Sequence, residues 1–227
     1  MNNKRFTFNH LQNVEIEISS LCNRKCLYCP QSIIKREKEK IPMNVFLKVM
    51  NELKDIHYSG GLAFHQYNEP LMEYEYLCKC IRAAKRINSG VRLELYTNGD
   101  YLDKKKYRKL RKLGIDRLVI TCQIAPKEQW SKKLGEKKVR EVLKRIGVKK
   151  KIVINNGCVE IKNNELRDFI FKLKEFGYEK VKRYPFKLEI RSVNYDNGGS
   201  TRMGVVDSVK TNQIADKKCN YYCYSLL

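Results

Sequence analysis

Apolar residues along this chain recur with two different periods, and segments of each kind alternate. Runs at 14–19 (VEIEIS), 62–67 (LAFHQY), 91–96 (VRLELY), 117–122 (RLVITC), 151–155 (KIVIN) and about 181–190 predict β-strands. Between them, 43–57, 73–88, 103–113, 127–146 and 163–176 carry helical spacing. The spacing is clearest where Phe46, Val49, Met50 and Leu53 fall at i, i+3, i+4 and i+7. It recurs at Phe169, Ile170, Leu173 and Phe176. Gly90, Gly114, Gly147 and Gly177 each stand where a helix should stop.

Repeated strand–helix units imply a parallel sheet with right-handed crossovers. Six units make an open doubly wound sheet or an incomplete barrel, and periodicity does not choose between them. In both, active sites gather at the carboxyl ends of the strands. Alternation in the first strand puts Val14, Ile16 and Ile18 on one face and Glu15 and Glu17 on the other. In a barrel those glutamates look into the interior; at a sheet edge they face water.

At 227 residues the chain can bury one sizeable core. Its first residues hold no apolar signal region, and no apolar run reaches the length that crosses a bilayer. Nine cysteines without a secretory signal point to a reducing cytoplasm, where they serve as ligands or stay thiols. The 47 Lys and Arg against 25 Asp and Glu give a net charge of +22, which attracts polyanions. Nucleic acid, an acidic peptide and a phosphorylated small molecule all suit such a surface. The charge is nonetheless spread over KREKEK at 35–40, KKKYRKLRK at 104–112 and scattered lysines at 132–151, which favours solvated helix faces over a dedicated stripe.

The chemistry concentrates in SSLCNRKCLYCPQS, directly after the first strand. Cys22, Cys26 and Cys29 sit on one short polar loop with Asn23, Arg24 and Lys25 between them. Three thiolates can cap three irons of a cubane and leave the fourth open, whereas iron–sulfur clusters and structural zinc normally take four ligands. Two other readings stand beside this one: buried thiols acting as small hydrophobes, and part of a zinc knuckle, although no second CxxC pair follows nearby.

The CxxxCxxC spacing, with Tyr28 before its last cysteine, resembles the signature of the radical SAM superfamily. Two later stretches resemble the family in the expected order. Asn68-Glu69-Pro70-Leu71 ends the second strand, with asparagine where glycine is more usual, and Thr97-Asn98-Gly99 ends the third. The resemblance implies a partial (β/α)6 TIM-like barrel of parallel strands with outer helices. It implies a [4Fe–4S] cluster on Cys22, Cys26 and Cys29, and S-adenosylmethionine (SAM) as second cofactor. Tyr28 would place the adenine, Asn68 and Glu69 the methionine ammonium, and Thr97 and Asn98 the ribose or methionine portion. Cys122, at the end of the fourth strand, is either an inert packed thiol or a hydrogen-atom donor.

The implied reaction is reductive cleavage of SAM to a 5′-deoxyadenosyl radical that takes hydrogen from substrate. An electron donor such as a flavodoxin or ferredoxin would supply the electron. Residues 1–190 would form the core and 191–227 a short C-terminal extension resembling the start of a SPASM or twitch module. Cys219 and Cys223 bring two thiolates to it, and Cys78, Cys80 and Cys158 are the others unassigned. Such a tail favours peptide modification, or oxidation of a sugar or aminocyclitol alcohol. Two readings from other classes remain: a zinc-binding protein that interacts with nucleic acid, and a relative that binds SAM without cleaving it.

Overall fold

The computed structural model describes residues 11–26, 29–32, 34–122, 131–149, 152–155, 158–161 and 187–193. Seven strands form one sheet: β1 (Asn13–Glu15), β2 (Gly61–Ala63), β3 (Arg92–Thr97), β4 (Arg117–Thr121), β5 (Ile152–Asn155), β6 (Cys158–Ile161) and β7 (Lys187–Val193). Four helices accompany them: α1 (Met43–Asp55), α2 (Tyr74–Ile87), α3 (Lys104–Leu113) and α4 (Lys132–Ile146). The strand order is β1-β2-β3-β4-β7-β6-β5. Every pair from β1 through β4 to β7 is parallel, so five strands form a continuous parallel ladder. The fold is α/β, with helices on the outer face of a parallel sheet, as the alternating periods lead one to expect.

The expected sixfold repeat needs one correction. The strand at 151–155 does not follow β4 in the sheet; β7 takes that place, and β5 lies at the far edge beyond β6. β6 pairs antiparallel with both β5 and β7. The cause is legible in the chain: Asn156-Gly157 separates IVIN from CVEI. A two-residue connection can only join antiparallel neighbours, and Asn-Gly is its favoured sequence. β7 also runs through residue 190, where the division into core and extension was expected. The helix at 163–176 and nearly all of the extension lie outside the described residues.

The parallel sheet is two-faced. Leu62, Leu93, Leu95, Leu118, Ile120, Leu188 and Ile190 alternate onto one side and are buried. They form one core with Phe46, Met50 and Leu53 of α1, Leu77 and Ile81 of α2, Tyr107 and Leu110 of α3, and Val139 and Ile146 of α4. Helix boundaries follow from capping. Asp103 accepts the amide of Lys106 at 2.7 Å to start α3, and Ser131 accepts that of Leu134 at 3.2 Å to start α4. Gly114 and Gly147 stop those helices in left-handed backbone. No described helix is long and apolar enough to cross a membrane.

Candidate functional site

Three consecutive parallel strands deliver their carboxyl ends to one place. Beyond β1 the chain continues through Ile18, whose carbonyl accepts the amide of Ile41 at 3.1 Å, and Ser19 forms an antiparallel bridge with Lys40. The cysteine loop is thus pinched at its base. Within it, the amide of Cys29 donates to the carbonyl of Cys26 at 2.9 Å, the turn that a CxxC step makes. Cys22, Cys26 and Cys29 are all free thiols of intermediate exposure. Burial pushes the Cys22 thiol up to about 11, helped by the Glu69 carboxylate and the neighbouring cysteines, against a hydrogen bond from the Arg24 backbone. Tyr28 lies outside the described residues.

The end of β2 meets this loop directly, because the amide of Glu69 donates to the carbonyl of Leu21 at 2.7 Å. The Glu69 side chain is 2% exposed. Its Oε1 accepts the amide of Leu71 at 3.0 Å and the hydroxyl of Thr97 at 2.6 Å, and its Oε2 accepts the amide of Asn98 at 2.7 Å. The first of these caps a 3₁₀ turn, Pro70–Glu73, with proline at its first position. Burial raises the Glu69 carboxyl above the ordinary range, although all three hydrogen bonds oppose that rise. A carboxylate oxygen has room for about two hydrogen bonds, so Oε2 keeps one place for a further donor. Asn68, 9% exposed, accepts the Gln66 amide through Oδ1, while its buried Nδ2 has no hydrogen-bond partner.

The turn after β3 completes the arrangement. Thr97 Oγ1 accepts the amide of Gly99 at 3.0 Å while donating to Glu69. Asn98 Nδ2 donates to Asn23 Oδ1 at 2.8 Å, across to the cysteine loop. Asp100 carries the strongest link. It accepts Arg24 through both oxygens, at 2.7 and 2.6 Å, and Asn23 Nδ2 at 2.7 Å. From α4, Arg145 donates to the Gly99 carbonyl at 2.6 Å. Asn23, Arg24, Asp100 and Arg145 were not singled out in the sequence. Only the position of Asn23 and Arg24 between two candidate ligands could have flagged them.

Cys122 is 6% exposed at the end of β4 and belongs to the apolar core. Burial pushes its thiol up to about 12 despite the positive charges of Arg145 and Arg24. Cys78 and Cys80 are buried in α2. Cys219 and Cys223 lie outside the described residues, and of Cys158 only the strand backbone is described.

The two glutamates of the first strand separate. Glu15 is exposed on the edge strand, whereas Glu17, just past its end, is half-buried. Glu17 accepts Arg36 Nη1 at 3.0 Å, forms an ion pair with Arg36 Nη2, and accepts the Tyr67 amide at 3.0 Å. It fastens the returning limb of the cysteine loop to the end of the first strand through Arg36.

The second face of the sheet is polar. Glu94, 3% exposed, accepts Arg92 Nε at 2.8 Å, the Tyr96 hydroxyl at 2.8 Å and Arg117 Nη1 at 3.1 Å. Arg117 continues to Glu189 of β7 at 3.2 Å. His65, past the end of β2, stacks on Tyr96 with centroids 4.2 Å apart. Parallel sheets usually bury apolar residues on both faces. Here that face instead carries charged groups paired with one another.

The residues fit the implied cofactors. Among the described residues, no three His, Cys, Asp or Glu side chains gather closely enough to hold a single metal ion. A cubane asks for something else, one thiolate on each of three irons. Asn68 Nδ2, which has no hydrogen-bond partner, and Glu69 Oε2, which accepts one amide, belong to consecutive residues and are a donor and an acceptor of the kinds that the carboxylate and ammonium of an amino acid require.

Comparison with known proteins shows the family. The model of the Radical SAM superfamily matches residues 16–184. An S-adenosyl-L-methionine-dependent 2-deoxy-scyllo-inosamine dehydrogenase from Niallia circulans is 33% identical over 122 residues, 52% of this chain and 47% of that protein. An uncharacterised protein from Methanocaldococcus jannaschii is 29% identical over 168 residues, 72% of this chain and 54% of its own. The crystal structure of BtrN in complex with AdoMet and 2-DOIA superposes with a TM-score of 0.48 at 32% identity, covering 52% of this chain and 48% of that one. The chain spans about half the length of the curated relatives it matches. Its cofactors are those of the family, a [4Fe–4S] cluster and S-adenosylmethionine. On its cysteine loop, its strand-end geometry and a match over most of its length, this chain belongs to the radical SAM superfamily.

Proposed function

We propose that this chain is a SAM-cleaving enzyme that oxidises an alcohol carbon of a small polyhydroxylated or aminated ring. The observation that carries the proposal is the meeting of the cysteine loop, Glu69 and Thr97-Asn98 at three adjacent parallel strand ends, above a charged sheet face. In this reading Cys22, Cys26 and Cys29 hold the cluster. Glu69 Oε2 accepts the methionyl ammonium and Asn68 Nδ2 donates to its carboxylate. Thr97 and Asn98 fix Glu69 from behind, and Tyr28 bears on the adenine. The bound cluster and SAM supply a 5′-deoxyadenosyl radical, which can remove a hydrogen atom from carbon.

Such an oxidation also releases a proton from the hydroxyl oxygen and one electron. It therefore needs a base and a one-electron acceptor, and the cluster, one electron short once SAM has been cleaved, would take that electron back. His65 suits the first role: an imidazole transfers protons near neutral pH, and stacking on Tyr96 fixes its plane on the polar face. The paired charges of Glu94, Arg117 and Glu189 suit hydroxyl and amine groups better than an apolar substrate. The inosamine dehydrogenase among the relatives favours this substrate class over a peptide.

The buried, protonated Cys122 supports the role of a packed thiol. Residues 191–227 are proposed as an extension that begins within the last three residues of β7. An acidic flavodoxin or ferredoxin is the proposed electron donor, in keeping with the +22 charge. A reducing cytoplasm suits the free thiols. The test is turnover: reconstituted protein, a chemical reductant, SAM and an aminocyclitol such as 2-deoxy-scyllo-inosamine. Formation of 5′-deoxyadenosine together with a ketone supports the proposal; 5′-deoxyadenosine that no polyol or aminocyclitol accelerates overturns the substrate class.

A further inference from the structure

The links from Asn23 and Arg24 to Asp100 belong to neither strand pairing nor the apolar core. They join two turns that approach only through side chains, one carrying the candidate cluster ligands and the other following β3. Asp100 is itself prepared for this. Its amide donates to Asn98 Oδ1 at 2.9 Å, which closes a local turn and aims the carboxylate at the loop. Burial would raise its carboxyl, but hydrogen bonds from Arg24 and Asn23 and the Arg24 charge more than offset that and hold it below the ordinary range. The Arg24 and Asp100 side chains are 26% and 33% exposed, and two-pronged charge-assisted contacts of this kind are the strong ones. Arg24 and Asn23 lie between Cys22 and Cys26, so fixing them fixes the loop on which both sulfurs ride.

We infer that Asp100 is a positioning residue that holds the cysteine loop in its ligand-ready shape before any metal arrives. The inference rests on the reading that these thiols hold the cluster, and it has a readout that does not need the cluster. In metal-free protein, iodoacetamide labels the loop thiols at a rate set by how often the loop opens. Cys80 and Cys122, buried in the core, report general loosening in the same sample.

Asp100→Ala is expected to speed labelling of Cys22, Cys26 and Cys29 about tenfold, with Cys80 and Cys122 still protected and the melting temperature unchanged. Asp100→Glu, which keeps the charge and both acceptor oxygens, is expected to restore slow labelling. Loop labelling in Asp100→Ala indistinguishable from wild type would overturn the inference, and so would equal acceleration at Cys80 and Cys122. Should Asp100→Ala fail to fold, Arg24→Lys reads the same contact, since it keeps the charge and loses the fork. Unchanged labelling in that variant overturns the inference as well. Iron uptake by the wild-type protein tests the underlying ligand reading separately, because a wild type that takes up no iron refutes the ligand set and leaves the labelling result standing.

Discussion

The hydroxyl of Thr97 donates to Oε1 of Glu69 at 2.6 Å, from the end of β3 to the end of β2. Because Oε2 takes the next amide along, that of Asn98, the carboxylate is gripped by two consecutive residues of one turn. A buried charge is tolerated when its lone pairs are filled. Here three are filled by Leu71, Thr97 and Asn98.

Glu69→Gln tests this grip. The substitution keeps shape but gives one end an NH₂ group, which must confront the Asn98 or the Thr97 and Leu71 donors. Leaving buried donors unpaired costs about 1–3 kcal/mol, read as a lower midpoint in urea. The pH dependence follows from sign. Burial raises the folded-state pKa, so this carboxyl contributes stability that is complete below its unfolded value of about 4.3 and is lost as pH rises through the folded value. Glu69→Gln should lack that component. A difference between the two proteins that does not change with pH would contradict it.

Among the described glycines, Gly99 is the one whose added Cβ would meet both left-handed backbone and a contact under 3.0 Å. Its φ is +79°, and a Cβ there would lie 2.6 Å from Cγ2 of the buried Ile120. Gly99→Ala is expected to cost about 2–4 kcal/mol through left-handed backbone and overpacking. Gly90 has an ordinary φ and its nearest neighbour at 3.6 Å. Gly90→Ala should therefore be neutral or slightly stabilising. Equal melting temperatures for the two variants would refute the distinction.

Much of this organisation is legible in the chain. Helical spacing at Phe46, Val49, Met50 and Leu53 is local information, and α1 forms there; alternation marks β3 and β4 for the same reason. The strand-end motifs also fall together because parallel topology forces every carboxyl end to one edge. What stayed hidden is non-local. Nothing near Asp100 announces a partner 76 positions earlier. Glu17 reads as an inward or solvent-facing carboxylate until the loop's return brings Arg36 beside it. The β5–β6 hairpin was available in Asn156-Gly157, but a regular strand–helix rhythm masks a two-residue turn.

Burial separates the ion pairs that matter from those that do not. Glu94 is almost wholly buried between Arg92 and Arg117, so Glu94→Gln weakens both contacts while Arg117 keeps Glu189 and Arg92 keeps water, and is expected to cost about 1–3 kcal/mol. Glu136 and Arg140 form an exposed pair along α4, and Arg140→Ala should cost less than about 0.5 kcal/mol. Denaturant midpoints check both, and a larger loss for Arg140→Ala would refute the ranking.

Cys122 should be silent toward thiol reagents. With its thiol pushed up to about 12, the thiolate at pH 8 is on the order of one part in ten thousand, and the side chain is shielded as well. Labelling by iodoacetamide should proceed only through global unfolding and quicken with added urea. Cys122→Ala should leave formation of 5′-deoxyadenosine and of any coupled product unchanged. Loss of product with the cleavage intact would instead give the thiol a part in substrate chemistry.

Three loop thiols, on the proposed reading, leave one iron of the cluster open to SAM. The most direct measurement is 5′-deoxyadenosine formed per chain by anaerobically reconstituted protein given reductant and SAM, beside a Cys22→Ala/Cys26→Ala/Cys29→Ala variant. Iron uptake with repeated 5′-deoxyadenosine release by the wild type, and neither in the variant, is the expected result. A wild type that fills with zinc in place of iron, or a fully iron-loaded wild type that leaves SAM intact, would contradict it.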